Sequence, residues 1–197
     1  MIYQNKENTP FIDQEVVFHQ ALQHGVNHLR DNWFKENVGI VAATLVEDGK
    51  FFSATSFCMP DNRWVHAEAA ALQQFENQFG RKPKPSSALV VTLSPCYLES
   101  NSRSGASCTQ KIVDSSIKQV RFGCLDIKQT PDIALYKQIG LDAKFIGDQS
   151  MQISCQALYA LFDKLYSPDG IFHDLLNTHQ NPWSEIKRII GLEPFQK

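Results

Sequence analysis

The chain has 197 residues, 43% of them hydrophobic, and its 19 basic and 21 acidic side chains give a formal net charge of −2. This length favours one domain with a sizeable core and excludes two large ones. The charge balance, without a block of like charges, gives no sign of a polyanion-binding surface and favours a small substrate over long nucleic acid. The sequence lacks a secretory signal and any apolar run of about 18 residues, which predicts a soluble, cytoplasmic protein without membrane contact.

The N-terminal half alternates helical and strand patterns. Apolar residues at steps of three and four predict a first helix over 12–33. The apolar, β-branched runs 38–46 and 51–57 flank Glu-Asp-Gly-Lys and predict an antiparallel hairpin. Residues 66–79 are strong helix formers, and Gly80 is well placed to end that helix.

The second half continues with two further strands beyond a central one. Residues 87–93 form a short, nearly continuous apolar strand of the kind buried in a sheet. A helix is expected from Cys108, a strand over 119–125, a helix up to Gly140 and a fifth strand over 142–146. Because a helix separates the last two strands, we expect them to be parallel.

The C-terminal part of the chain is helical in character. A helix is predicted over 150–166, and a shorter one begins near 181–182 and ends at Gly191. We therefore interpret residues 1–197 as one domain, with a core over 38–147, the N-terminal helix, and a helical extension over 150–197.

One histidine and two cysteines have the character of a catalytic zinc site. The chain has five cysteines, an odd set without the spacing of a disulfide scaffold, so metal binding or burial is expected of them. His66, Cys96 and Cys108 all fall where a strand gives way to a helix. Catalytic zinc takes three protein ligands and leaves the fourth position for water. Glu68, two residues after His66, is then placed to carry protons to and from that water.

The motifs His66-Ala-Glu68 and Ser94-Pro-Cys96, followed by a later cysteine, resemble the cytidine and deoxycytidylate deaminase superfamily, whose signature is H-x-E…P-C-x-x-C. The resemblance covers roughly 38–147 and implies an α/β fold, a three-layer α/β/α sandwich around a five-stranded mixed sheet. It further implies bound Zn²⁺, Glu68 as proton shuttle, and a reacting group lined by the Ala67 amide and the Ser94 carbonyl. Members are commonly dimers or tetramers, so a homodimer or homotetramer is also implied.

Two departures from the family pattern concern the substrate. Eleven residues separate Cys96 from Cys108 instead of two, an enlarged loop that resembles the deaminase domains of riboflavin biosynthesis. Within this loop, Arg103 is a candidate partner for a substrate phosphate. Many members carry Asn at the end of the second strand to bind ribose, where this chain has Thr55, and Asn62 is a candidate substitute.

The parallel last strand resembles the branch with deoxycytidylate, guanine, riboflavin-pathway and tRNA-adenosine deaminases rather than free-cytidine deaminases. The leading hypothesis is hydrolytic deamination of an aminated base, nucleoside or nucleotide, with a cytosine-type pyrimidine such as CMP or dCMP first. Another base, including one within nucleic acid, is the rival substrate. A non-catalytic zinc scaffold is the other alternative, with a fourth ligand from Cys58, Cys124 or His173. Cys124 is also the alternative to Cys108 as second thiolate.

Overall fold

A six-stranded mixed sheet forms the centre of the fold in the computed structural model, which describes residues 14–32, 38–97, 106–130 and 132–165. The strands are β1 (Val38–Glu47), β2 (Lys50–Cys58), β3 (Trp64–Val65), β4 (Ala88–Leu93), β5 (Gln119–Cys124) and β6 (Asp142–Phe145). Their order across the sheet is β3-β2-β1-β4-β5-β6. The helices are α1 (Gln14–Asn32), α2 (Ala67–Phe79), α3 (Cys108–Asp114), α4 (Ala134–Gln138) and α5 (Gln149–Leu165).

The strand directions follow from the connections between the strands. Strands β1 and β2 are antiparallel and joined by a two-residue turn, in which Asp48 and Gly49 both have positive φ angles of 51° and 73°. This geometry is that of a type I′ hairpin turn. Strand β4 is antiparallel to β1, whereas β5 is parallel to β4 and β6 is parallel to β5. The predicted parallel crossover through α4 is therefore confirmed.

Helices cover both faces of the sheet, so the α/β class and the three-layer arrangement are confirmed. Helices α1 and α5 share one hydrophobic cluster with β1 and β4, while α2, α3 and α4 contribute to the cluster on the other face. The apolar stripe predicted in the first helix is buried, with Phe18, Leu22, Val26 and Leu29 at most 7% exposed. Burial of this stripe against the sheet explains why the segment is helical.

Two local features differ from the sequence predictions. The prediction of five strands missed β3, whose two residues pair with Phe57 and Cys58 at the edge of the sheet and are too few to form a pattern. The predicted helix before Gly140 is reduced to the five residues of α4, and Gly140 follows with φ 76°. The predicted short helix ending at Gly191 lies outside the described residues.

None of the helices in the described residues contains a stretch that is both long enough and apolar enough to cross a membrane.

Candidate metal centre and active site

The three predicted zinc ligands converge at one place on the α2 face of the sheet. His66 is the residue immediately before α2, Cys108 is the first residue of α3, and Cys96 follows β4. Their potential ligating atoms all lie within 4.8 Å of one another. The Cys96 Sγ is 3.6 Å from His66 Nδ1 and accepts a hydrogen bond from the Cys108 backbone N–H at 3.2 Å. Residues 42 positions apart in sequence are thus gathered by the starts of two helices and the end of one strand.

The surroundings of Cys96 favour its thiolate form. A hydrogen bond with the Cys108 thiol lowers the pKa of Cys96 far below the usual range, and the His66 imidazole acts in the same direction against the opposing effect of burial. The same hydrogen bond, together with burial, raises the pKa of Cys108. Cys96 is thus favoured as the thiolate form that binds metal, and the Cys108 sulfur lies next to it.

Glu68 lies in the first turn of α2 and is only 2% exposed. Its Oε2 is the one buried side-chain oxygen or nitrogen without a hydrogen-bond partner in the described part of the chain. Burial raises the pKa of Glu68 to about 7, while the charge of His66 opposes this and that of Cys96 adds to it. A carboxyl group with such a pKa can both accept and donate a proton near neutral pH.

The donor set fits zinc. An imidazole and two sulfurs are ligands that zinc prefers, and three of them leave a position open for water. Among the described residues, no fourth histidine, cysteine or carboxylate joins the group. The unpartnered oxygen of Glu68 beside this group fits a site that takes a further polar group, because buried polar atoms without a partner are rare in native proteins.

The other cysteines lie apart from this group. Cys124 is in the cluster of the opposite face together with Cys155, and burial raises the pKa of its thiol to about 12. Cys58 donates to the neighbouring backbone carbonyl of Met59 at 3.5 Å. Cys124 and Cys58 therefore do not close the site, and His173 lies outside the described residues.

The residues predicted to bind substrate are distributed unevenly. Ala67 directly follows His66, Ser94 precedes Cys96 by two residues, and both are buried. Thr55 pairs with Ala42 and lies on the α1 face of the sheet, because its neighbour Ala54 packs in the α2-side cluster and side chains alternate along a strand. The structure therefore does not bring Thr55 to the metal group.

Asn62 and Arg103 are the remaining two residues predicted to bind substrate. Asn62 is exposed and lies in the turn between β2 and β3 with φ 63°, its N–H donating to the Met59 carbonyl. Arg103 lies outside the described residues.

Sequence reasoning missed a set of buried hydroxyls that contact the backbone around Cys96. Thr109, Thr130 and Tyr136 each donate to the carbonyl of Pro95 or Cys96. Thr130 and Tyr136 lie more than 30 positions beyond Cys96, and no local pattern marks them. Only the tertiary structure identifies them.

Comparison with known proteins agrees with this site. Residues 16–124, more than half of the chain, match the family described as cytidine and deoxycytidylate deaminase zinc-binding region. No curated protein matches the chain.

Three solved structures illustrate the similarity of fold. A diaminohydroxyphosphoribosylaminopyrimidine deaminase/5-amino-6-(5-phosphoribosylamino)uracil reductase of Thermotoga maritima has a TM-score of 0.56 and 20% identity, over 76% of this chain and 41% of that one. A structure from a study of A-to-I editing by tRNA:A34 deaminases has a TM-score of 0.51 and 20% identity, over 68% and 99%. The Rib2 deaminase of Aspergillus oryzae has a TM-score of 0.50 and 14% identity, over 89% and 99%.

The chain spans about two fifths of the length of the Thermotoga maritima protein, and at these identities the likeness concerns the fold. The family match includes all three metal ligands, and it also includes the helix α2 with Glu68. The chain therefore belongs to the family of the cytidine and deoxycytidylate deaminase zinc-binding region.

Proposed function

We propose that this chain hydrolyses the amino group from a ring carbon of a small aminated pyrimidine. The observation that carries the proposal is the convergence of His66, Cys96 and Cys108 within 4.8 Å, next to a buried glutamate whose Oε2 has no partner. A structural zinc site is closed by four protein ligands and needs no neighbouring carboxylate, whereas hydrolysis needs a group that moves protons.

The proposed roles divide between holding the metal and moving protons. His66 Nδ1, Cys96 Sγ and Cys108 Sγ would hold zinc. Bound there, zinc supplies Lewis acidity that brings the pKa of a water ligand from about 15.7 towards about 7. Glu68 Oε2 accepts a proton from water, delivers one to the ring nitrogen, and later protonates the departing amine. The exocyclic C–N bond breaks, a C=O bond forms with the oxygen of water, and ammonia leaves.

The surroundings of the ligands suggest how the substrate would be held. The Ala67 amide and the Ser94 carbonyl are proposed to contact the reacting group, since both residues are buried and lie within two positions of a ligand in the chain. Ser94 itself is well fixed, because its N–H donates to the Cys124 carbonyl at 2.8 Å and its Oγ accepts from Asp126 N–H at 2.9 Å. A rigid carbonyl at this position would orient an amino group.

Among aminated pyrimidines, a cytosine-type nucleotide such as CMP or dCMP is our leading substrate. The parallel pairing of β5 and β6 supports a nucleotide over free cytidine. A parallel last strand resembles the branch that contains the deoxycytidylate deaminases, not the free-cytidine deaminases. Asn62 and Arg103 remain candidates for ribose and phosphate, whereas the position of Thr55 on the α1 face speaks against a role for it.

A phosphoribosyl-bearing diaminopyrimidine is the second candidate substrate. The eleven residues between Cys96 and Cys108 favour it, because this enlarged loop resembles riboflavin-type deaminase domains. The Thermotoga maritima protein is named for such a substrate. A base within RNA or DNA is less favoured, because the net charge of −2 gives no general attraction for a polyanion.

Ammonia release from a panel of compounds tests the substrate proposal. The panel contains cytosine, cytidine, deoxycytidine, CMP, dCMP, the diaminopyrimidine nucleotide, guanine, and a short RNA hairpin with an unpaired adenosine. We expect turnover of a pyrimidine nucleotide. Turnover of guanine or of the RNA alone would contradict the pyrimidine proposal, and absence of ammonia with every compound, in protein shown to hold zinc, would favour the non-catalytic scaffold.

A further inference from the structure

The carbonyl group immediately before Cys96 is held by two buried hydroxyl groups. The Pro95 carbonyl accepts a hydrogen bond from Tyr136 OH at 2.5 Å and another from Thr130 Oγ1 at 2.9 Å. The two hydroxyl oxygens are themselves 3.1 Å apart. Tyr136 and Thr130 are both 0% exposed, so no solvent competes for these bonds.

The peptide group after Cys96 is held as firmly by other residues. The Cys96 carbonyl accepts from the Thr109 N–H at 3.2 Å and from Thr109 Oγ1 at 2.8 Å. The next N–H, that of Tyr97, donates to the Gln129 carbonyl at 3.1 Å. Because a peptide group is planar, fixing the groups on both sides of a residue fixes its φ and ψ and therefore the direction of its Cα–Cβ bond.

Packing alone does not explain the tyrosine hydroxyl. The Tyr136 ring fills the α2-side cluster and lies 6.2 Å from the Phe122 ring between centroids, a role that phenylalanine would also perform. Burial raises the pKa of Tyr136 to about 12, and the charges of Glu68 and Cys96 act in the same direction. The hydroxyl therefore stays protonated and acts as a donor next to the ligand group.

We infer that Tyr136 and Thr130 are positioning residues for the metal ligand Cys96, acting through the Pro95 carbonyl. This inference rests on the proposed ligand role of Cys96. Tyr136 belongs to α4, the crossover helix between the parallel strands β5 and β6. The parallel crossover thus brings a hydroxyl from 41 positions further along the chain to the backbone next to the proposed zinc ligand. Groups that orient a ligand in this way typically change metal affinity about 10- to 100-fold when removed.

Zinc affinity of hydroxyl-deleted variants tests the inference. Tyr136→Phe and Thr130→Val each remove one donor and keep the volume of the side chain. Thr44→Val is the matched control, because Thr44 is also 0% exposed and its hydroxyl bonds Ser53 at 2.8 Å on the other face of the sheet. Zinc dissociation constants are measured by chelator competition, and the visible spectrum of the cobalt-substituted protein reports the geometry of the sulfur ligands. Thermal unfolding of the metal-free variants is recorded alongside.

We expect about a 10-fold weaker zinc affinity and a shifted cobalt spectrum for both site variants, with Thr44→Val within twofold of wild type. Wild-type affinity and an unchanged spectrum in both site variants would overturn the inference. So would an equal loss in all three, in proportion to their thermal destabilisation. If Tyr136→Phe does not fold, Thr130→Val decides alone.

The proposed function itself is tested separately by Cys96→Ser. If that variant binds zinc as tightly as wild type, the ligand assignment fails. If it loses zinc while the two hydroxyl variants behave as wild type, only the positioning role fails.

Discussion

At the scale of single residues, the structure distinguishes Cys108 from Cys124 as the second sulfur ligand. Cys108 lies with Cys96 and His66 in one group, whereas Cys124 packs beside Cys155 in the opposite cluster. Cys124 has no place in the group around Cys96, because its side chain packs on the other face of the sheet.

We therefore predict that Cys108→Ser purifies with little zinc, while Cys124→Ser retains about one zinc per chain. The two variants form a matched pair, because each replaces one buried cysteine with the same residue. Metal content by atomic absorption, after dialysis against a weak chelator, provides the measurement. Zinc retained by Cys108→Ser and lost by Cys124→Ser would reverse the assignment.

At the same scale, His66, Glu68 and Cys96 could be predicted from sequence because they lie in two short motifs with local spacing, whereas Cys108, after an enlarged gap, kept Cys124 as its alternative. Thr130 and Tyr136 could not be predicted, because their partner is a backbone carbonyl more than 30 positions away. Thr55 lies inside β2, three residues before its end at Cys58, and the face of the sheet that it occupies depends on a register that the sequence alone does not determine.

At the scale of elements, Glu47 ties the end of β1 to the segment before β4. Its carboxylate accepts from Arg81, from the Lys84 N–H at 2.6 Å and from Ser87 Oγ at 2.6 Å. Burial alone would raise the pKa of Glu47, but the hydrogen bonds from Arg81, Ser87 and Lys84 lower it to about 2. The ionised carboxylate is thus the form that stabilises this connection.

This carboxylate predicts a dependence of stability on acid pH. Because the folded pKa lies below the unfolded value of 4.5, the stabilisation is complete above about pH 4.5 and is lost as the pH falls towards about 2. The loss is up to about 3 kcal/mol. Glu47→Gln should be less stable at pH 6 and should show a flatter dependence below pH 4.5, measured by urea unfolding. Asp61→Asn, a change in an exposed pair with Arg63, serves as control, and an unchanged acid slope in Glu47→Gln would contradict the account.

Gly123 in β5 lies where both helices on the α1 face approach the sheet closely. A Cβ placed there would lie 2.3 Å from the Cys155 Sγ and 2.5 Å from the Phe18 Cζ. These atoms come from α5 and α1, so the missing side chain allows both helices to contact the strand.

Gly123→Ala should therefore reduce the free energy of unfolding by about 1–3 kcal/mol through overpacking. The double variant Gly123→Ala/Cys155→Ala should recover part of this loss, because it removes the nearest obstructing atom. Urea unfolding of the single and double variants tests the prediction. A single variant as stable as wild type, or a double variant that recovers nothing, would show that the packing is looser than the structure indicates.

At the scale of the whole molecule, the starts of α2 and α3 and the segment after the central strand β4 bring His66, Cys96 and Cys108 together on one face of the sheet. The order of helices and strands, the hairpin and the parallel crossover were all predictable, because each leaves a periodic or turn signal. The two-residue β3 was not, because so short a strand carries no period. The single domain over 1–197 and the homo-oligomer stay predictions.

The proposed mechanism depends most on Glu68, whose buried carboxylate would move the protons of the deamination beside the zinc site. The most direct measurement compares Glu68→Gln with wild type for zinc content and for ammonia release from the pyrimidine nucleotide that wild type uses. Since Oε2 has no hydrogen-bond partner to lose, the variant should fold and retain zinc. Its turnover should fall by about 100- to 10,000-fold. Turnover within a few-fold of wild type, with zinc bound, would contradict the role of Glu68 and with it the account of the site.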